Sequence, residues 1–228
     1  MTSAELRSLG VNVTLAEKYA APLTAAMVRH NISTPLRQAH FMAQVLHESG
    51  MLRYTQELAD GSAYEGRKDL GNTETSDGKK FKGRGFIQIT GRKTYVAYGE
   101  SCAIDLLGAP EKVAEPQLAA DSAGWFWTVF KKDSTGKNLN AMADDDQFLR
   151  ITYFVNGGFN GLADRFKHLR DCFEVFGVDS PDERLQKVIA NALLNIGSPD
   201  RKGMNAALFR ALPTVEAVNE LGKVVRHG

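Results

Sequence analysis

Apolar residues recur at three- and four-residue spacings through most of this chain, a pattern that predicts a succession of amphipathic helices. Thr2 and Glu5 stand at capping-box spacing ahead of Leu6 and Leu9, with Gly10 as a stop. Thr14 and Glu17 repeat that spacing and open a second helix with Leu15, Tyr19, Leu23 and Met27 inward and Pro22 as a kink point. Thr34 followed by Pro35 predicts a third helix over 35–49. Its apolar residues (Leu36, Ala39, Phe41, Met42, Ala43, Val45, Leu46) spread around much of the circumference, which marks a central helix, and Gly50 ends it. Further on, Pro116 opens a helix with Leu118, Ser122, Trp125, Phe126 and Val129 on one side. Asp144 with Gln147 caps another bearing Phe148, Ile151, Thr152 and Val155, and Leu162, Phe166, Leu169, Phe173 and Phe176 fall in register on the next. Ser180-Pro181-Asp182-Glu183 is a strong helix start, followed by the stripe Leu185, Val188, Ile189, Ala192, Leu193 and Ile196. Shorter helical segments over 204–212 and 215–225 close the chain.

Two stretches depart from this period. Residues 60–82 fill with Gly, Ser, Asn, Asp and Thr, and so long an aperiodic span inside a compact domain points to a functional loop. Residues 86–90 alternate instead, which predicts a short strand with Ile87 and Ile89 on one face and Phe86, Gln88 and Thr90 on the other. The expected architecture is mainly α, a helical domain over 1–177 with a small β-sheet beside its cleft. Residues 178–228 form a helical extension whose apolar stripe suits a brace packed on that domain.

Composition narrows this picture without redirecting it. Apolar residues make up 43% of the 228, charged residues 24%, and the formal charge is +1, so nothing suggests a strongly basic nucleic-acid binder. Basic residues nevertheless crowd the central stretch, from Arg53 through Arg67, Lys68, Lys79, Lys80, Lys82, Arg84, Arg92 and Lys93, as either a solvated loop or a cleft for an anionic polymer. Cys102 and Cys172 are too few for a disulfide framework and read as free thiols in a reducing compartment. The start, MTSAELRSLG, shows no secretory pattern, and AGWFWTVF is too short to span a bilayer; synthesis in the cytoplasm and a monomer without membrane insertion are the expectations.

The chemistry-bearing residues concentrate between His40 and Thr90. Glu48 lies in the last turn of the apolar helix, where partial burial and the negative end of the helix dipole both disfavour the anion, as a general acid requires. Glu57 follows nine residues later, across Gly50, and is placed to turn back towards it as a base; Glu65 and Glu74 on the same loop are rivals that spacing does not exclude. Gln88 and Thr90 share a strand face, with Gly83 and Gly85 allowing close backbone approach. His47 with His40 lacks the second histidine, four residues on, of a zinc-protease helix, so no metal and no cofactor is expected. One of Trp125 and Trp127 could line a cleft while the other packs inside.

AHFMAQVLHESG, YEGRKDLGNT, FKGRGFIQITGRKTY, WFW and ITYFVNGGFNGLADR, in this order, resemble glycoside hydrolase family 19, the chitinase and phage-endolysin family with a lysozyme-like fold. The resemblance implies Glu48 as general acid, Glu57 as general base and Thr90 as the holder of the attacking water. It further implies Gln88, Tyr64, Arg67, Thr94, Asn156 and Arg165 as substrate-binding positions. Thr94 departs from the family, which has an asparagine there. The implied reaction is single-displacement hydrolysis of a β-1,4 bond next to an N-acetylated sugar, with inversion. The implied partner is peptidoglycan or a chitin-like glycan. The pattern looks more like a peptidoglycan-degrading lysin, released to the wall by a holin-type route, than a secreted chitinase.

Overall fold

The computed structural model describes residues 1–180, 182–188 and 190. The chain divides into two compact units, Met1–Asn31 with Glu48–Phe130, and Ile32–His47 with the chain from Lys131 onward.

In the first unit, α1 (Ser3–Ser8) has the expected capping box: the Thr2 hydroxyl accepts from the Glu5 amide at 3.2 Å while the Glu5 carboxylate takes the Thr2 amide at 2.6 Å. α2 (Val13–Arg29) runs through Pro22, but its cap is Asn12, whose side chain accepts from the Thr14 amide, and not the expected Thr14. The helix thus begins earlier than expected, with Asn12 satisfying one of its orphan amides. α2 packs against α6 (Pro116–Trp125), which continues as a π-helical turn over Phe126–Phe130.

That contact is organised by a buried polar cluster. His30, 9% exposed, meets Asp121 through Nε2 at 3.0 Å and Thr128 through Nδ1 at 3.2 Å. Arg29 and the Tyr98 hydroxyl both donate to the other Asp121 oxygen, at 3.1 and 2.9 Å. Burial pushes the Asp121 carboxyl up, but the hydrogen bonds from His30 and Tyr98, with the charges of His30 and Arg29, outweigh it and hold the group below its ordinary value. Trp125 and Trp127 are both core residues, 3% and 0% exposed, so neither lines a cleft, while Val129, expected inward, is 50% exposed because the π turn rotates it out.

The second unit is built on α3 (Pro35–Glu48), α7 (Leu139–Asp144), α8 (Phe148–Asn156) and α9 (Leu162–Val175). Thr34 caps α3 as expected, its hydroxyl accepting from the Arg37 amide at 3.2 Å. Phe41, Met42, Val45 and Leu46 are fully buried, in keeping with a helix apolar around most of its surface. Asp144 does not cap α8; it ends α7 and takes the Arg37 guanidinium in a bidentate pair at 2.8 and 2.6 Å. His40, fully buried, has its ring against Phe148 and Phe173 and faces Asp146 at 3.5 Å, and Asp146 also accepts from Arg184 at 2.7 Å. Arg184 belongs to helical residues 182–188, where Leu185 and Val188 are buried at 2% each. Pro181, the rest of the expected stripe, from Ile189 to Ile196, and the segments over 204–212 and 215–225 lie outside the described residues.

The small β-sheet is not formed among the described residues, which hold only isolated bridges: Gln56 with Arg84, Arg84 with Ile89, and Lys132 with Asn138. The fold is mainly α.

Gly124 of α6 lets α2 approach. A Cβ there would lie 2.3 Å from Cδ2 of His30, whose ring is fixed through both nitrogens. Alanine normally stabilises a helix interior over glycine by about 0.8–1 kcal/mol. Here overpacking, at roughly 1–3 kcal/mol, opposes and exceeds that gain. Gly124→Ala is expected to lower stability in urea unfolding; an unchanged or higher midpoint would show that the His30 ring is free to move.

Candidate active site

Glu48 is the last residue of α3 and is half-buried. The chain then makes a turn in which Gly50, Met51 and Leu52 all hold positive φ, at 55°, 64° and 64°. Left-handed conformation costs non-glycine residues roughly 1–2 kcal/mol each. Two features hold the turn: the Ser49 hydroxyl accepts from the Leu52 amide at 2.8 Å, and the Leu52 side chain is fully buried. The Tyr54 amide returns to the Ser49 carbonyl at 3.0 Å, and the segment carrying Glu57 follows.

Glu57 is fixed by its own backbone and by its carboxylate. Its amide donates to the Gly83 carbonyl at 3.0 Å, and the Gly83 amide donates to Glu57 Oε1 at 2.6 Å. The Tyr64 hydroxyl donates to Oε2 at 3.0 Å, and Lys82 Nζ reaches the Glu57 carbonyl at 3.2 Å. One donor on each oxygen suits an ionised carboxylate held in a single orientation. Burial, then the hydrogen bond to Glu57, push the Tyr64 phenol above its ordinary value.

Gln88 and Thr90 lie against the same glycine, though not by sharing a strand face. Residues 84–89 form a tight turn closed by Arg84 and Ile89, whose amides and carbonyls pair at 3.2 and 2.8 Å, with Gly85 at φ 83° and Gln88 at φ 52°. The alternation of 86–90 arises because Phe86, Ile87 and Ile89 are all buried, at 0%, 6% and 3%, while Gln88 swings outward in the left-handed region. A Cβ on Gly83 would lie 2.8 Å from Gln88 Oε1 and 3.4 Å from Thr90 Oγ1, so glycine leaves the Gln88 amide in place and Thr90 at van der Waals distance. Gln88 Nε2 donates to the Gly85 carbonyl at 2.7 Å, and its buried Oε1 has no hydrogen-bond partner among the described residues. The Thr90 hydroxyl donates to the Gln88 carbonyl at 2.9 Å, which leaves its oxygen as an acceptor.

Glu65 and Glu74 are occupied elsewhere in the loop. Glu65 accepts from the Ser76 and Gly78 amides at 2.5 and 2.9 Å, at the start of α4 (Asp77–Lys80). Glu74 pairs with Arg92 at 2.9 Å. The basic run is largely spent on structure. Arg67 forks onto Asp69 at 2.8 and 2.5 Å, Arg92 onto Asp77 at 2.8 and 2.6 Å, and Lys79 pairs with Asp60 at 3.5 Å. Arg84, a member of the same run, is only 7% exposed. Arg53, Lys68 and Lys93 stay exposed.

Thr94 is buried at 9% in the first turn of α5 (Arg92–Cys102), its amide on the Gly91 carbonyl. In the second unit, Asn156 ends α8 half-exposed and accepts from the Asn160 amide at 3.3 Å. Arg165 is fully buried, donating to the Asn160 carbonyl at 3.0 Å and to Gln44 at 2.6 Å. His47 meets Asp164 at 2.6 Å, and no group of three or more potential metal ligands occurs among the described residues. Gly83, expected to allow close backbone approach, also holds Glu57 through its own amide and carbonyl, a role no side chain signals. One contributor escaped sequence reasoning. Gln44, fully buried between Arg165 and the Thr152 hydroxyl, sat unremarked among the apolar residues of α3.

The family 19 glycoside hydrolase profile, described as chitinase class I, matches residues 39–141. A glycosyl hydrolase family 19 domain-containing protein of Haemophilus influenzae is 27% identical over 180 residues, 65% of this chain and 84% of that protein. Endochitinase CHI of Arabidopsis thaliana is 38% identical over 109 residues, 45% of this chain but only 39% of the plant enzyme, so the chain spans less than half of that relative. Among solved structures, chitinase C from Streptomyces griseus superposes with a TM-score of 0.61 at 20% identity over 77% of this chain and 76% of that one. A bacterial family 19 chitinase superposes at 0.62 and 20%, over 78% and 95%. The fold is therefore the mainly helical, lysozyme-like one of these enzymes. By these matches the chain is similar to the chitinase-like glycoside hydrolases of family 19.

The Tyr64–Glu57 contact is open to direct measurement. Removing the carboxylate in Glu57→Gln is expected to bring the Tyr64 phenol down towards its ordinary value while burial keeps it somewhat above, read by site-resolved tyrosine NMR titration. An unmoved Tyr64 titration would mean that the two groups are apart in solution.

Proposed function

We propose that the chain hydrolyses β-1,4 bonds next to N-acetylated sugars by single displacement with inversion, Glu48 acting as general acid and Glu57 as general base. The observation that carries this reading is the Glu57 carboxylate, oriented by the Gly83 amide and the Tyr64 hydroxyl beside Gln88 and Thr90. A water accepted by Glu57 and donating to the Thr90 oxygen attacks the anomeric carbon. Its proton passes to Glu57, while Glu48 protonates the departing glycosidic oxygen as the carbon–oxygen bond breaks. Inverting pairs stand roughly 6.5–9.5 Å apart to admit that water. The unpartnered Gln88 Oε1 suits the N–H of an acetamido group, which would otherwise leave a buried acceptor unsatisfied.

Peptidoglycan, in an endolysin-type role, is the proposed polymer. Its strands carry carboxylates, and the exposed cations of Arg53, Lys68 and Lys93 would favour them by steering. Lys68 and Lys93 come from elements in contact, since the turn Lys68–Leu70 packs on α5 and a Cβ on Gly71 would meet Lys93 Cβ at 2.9 Å. The competing substrate is chitin, which is uncharged and is named by the plant relatives.

Purified peptidoglycan and chitin oligomers assayed side by side, with products identified by mass spectrometry, decide between the two; faster chitin cleavage would remove the peptidoglycan assignment. Glu48→Gln and Glu57→Gln are each expected to lower kcat by about 100-fold or more, in line with the contribution of a positioned acid or base. Retained turnover by either variant would displace that residue from its role.

A further inference from the structure

Arg84 is a buried cation supported by neutral groups. Its guanidinium donates to Gln56 Oε1 at 3.0 Å, to the Lys80 carbonyl at 2.9 Å and to the Tyr95 hydroxyl at 2.9 Å. Among the described residues no carboxylate pairs with it. The Tyr95 hydroxyl in turn donates to the Lys82 carbonyl at 2.7 Å. Holding a charge at 7% exposure on neutral acceptors is costly compared with an apolar side chain of like size, so stability alone is a poor reason for it.

The contacts of Arg84 converge on Glu57. Gln56 is the residue before Glu57, and Gly83, the residue before Arg84, holds Glu57 through its amide and its carbonyl. Gln56 and Arg84 form an antiparallel bridge, and the Gly85 amide donates to the Thr55 carbonyl at 2.8 Å. On its other side, the backbone of Arg84 closes the turn that presents Gln88 and leads to Thr90. The Tyr95 phenol is pushed up to about 12, by burial first, and it senses both Arg84 and Glu57.

We propose that Arg84 is a positioning residue for Glu57. Its forked guanidinium locks the 55–57 segment against Gly83 and α5, so that the Glu57 carboxylate and the 84–89 turn keep one relative placement. The inference rests on Glu57 being the base. It assigns no substrate contact to Arg84.

Arg84→Lys keeps the charge but gives up the planar fork, and a lysine cannot satisfy three acceptors set in those directions. With soluble N-acetylglucosamine oligomers as substrate, the folded variant is expected to lose about 10- to 100-fold in kcat, as one or two charge-assisted hydrogen bonds would supply, with KM nearly unchanged. Gln56→Ala, at an exposed position that tolerates truncation, should lower kcat in the same KM-independent way, and the double variant should be no worse than Arg84→Lys alone. A purely structural role would instead lower the thermal midpoint and leave kcat per folded molecule intact. Wild-type kcat in folded Arg84→Lys, an unchanged kcat in Gln56→Ala, or strictly additive losses would each overturn the proposal. Glu57→Gln in the same assay separates the two levels. If it stays active, the base assignment fails; if it is dead while Arg84→Lys is normal, only the positioning role fails.

Discussion

The reciprocal hydrogen bonding between Glu57 and Gly83 is the contact on which the rest of the first unit's site depends. One residue uses its amide and its carboxylate, the other its carbonyl and its amide, so the loop cannot slide without losing both bonds. The absence of a side chain at position 83 then lets Gln88 and Thr90 close in from the other side. A short glycine-flanked turn stands where a sheet was expected, its register fixed by the bridges of Arg84 with Gln56 and with Ile89.

The long aperiodic stretch between the two carboxylates and this turn is ordered by polar contacts more than by apolar burial. Asn72, fully buried, donates to the Tyr64 carbonyl at 2.9 Å and accepts from the Arg92 amide at 2.8 Å, tying the residue that orients Glu57 to the start of α5. Asp77, 1% exposed, holds the Arg92 guanidinium from the same side. The hydrogen bond from Arg92, set against burial, keeps the Asp77 carboxyl below its ordinary value. Fully satisfied networks of this kind cost little in net stability and give a loop one conformation. The left-handed run at Gly50, Met51 and Leu52 belongs to the same design, since its strain is offset by the Ser49 hydroxyl on the Leu52 amide and by the Leu52 side chain anchored in the core.

Much of this was legible in the sequence, for identifiable reasons. α1, α3, α6 and α9 announce themselves through capping residues, first-turn prolines and apolar registers, all local signals. Glu48 stands out as a carboxylate at the end of an apolar helix and Glu57 by its place across Gly50, while the roles proposed for them come from the family resemblance. What could not be read was long-range. Residues 86–90 imitate a strand because burial on two sides produces the same alternation as a pleat. The burial of Arg84, read as one of a basic run, and of Arg165, read as a substrate-binding position, was not foreseeable, because nothing nearby in the chain shows that Gln56 and Gln44 await them. The partners of Glu65 and Glu74, two loop amides and the Arg92 guanidinium, were likewise hidden from the sequence.

As the proposed base, Glu57 makes the nucleophile a water and not a carboxylate. Proton NMR of the reducing end released in the first moments of hydrolysis tests this most directly. Cleavage of a β-linked oligomer should release the α-anomer first, followed by slow mutarotation. Initial release of the β-anomer would mean retention, and would contradict the roles of Glu57 as base and Thr90 as holder of the water.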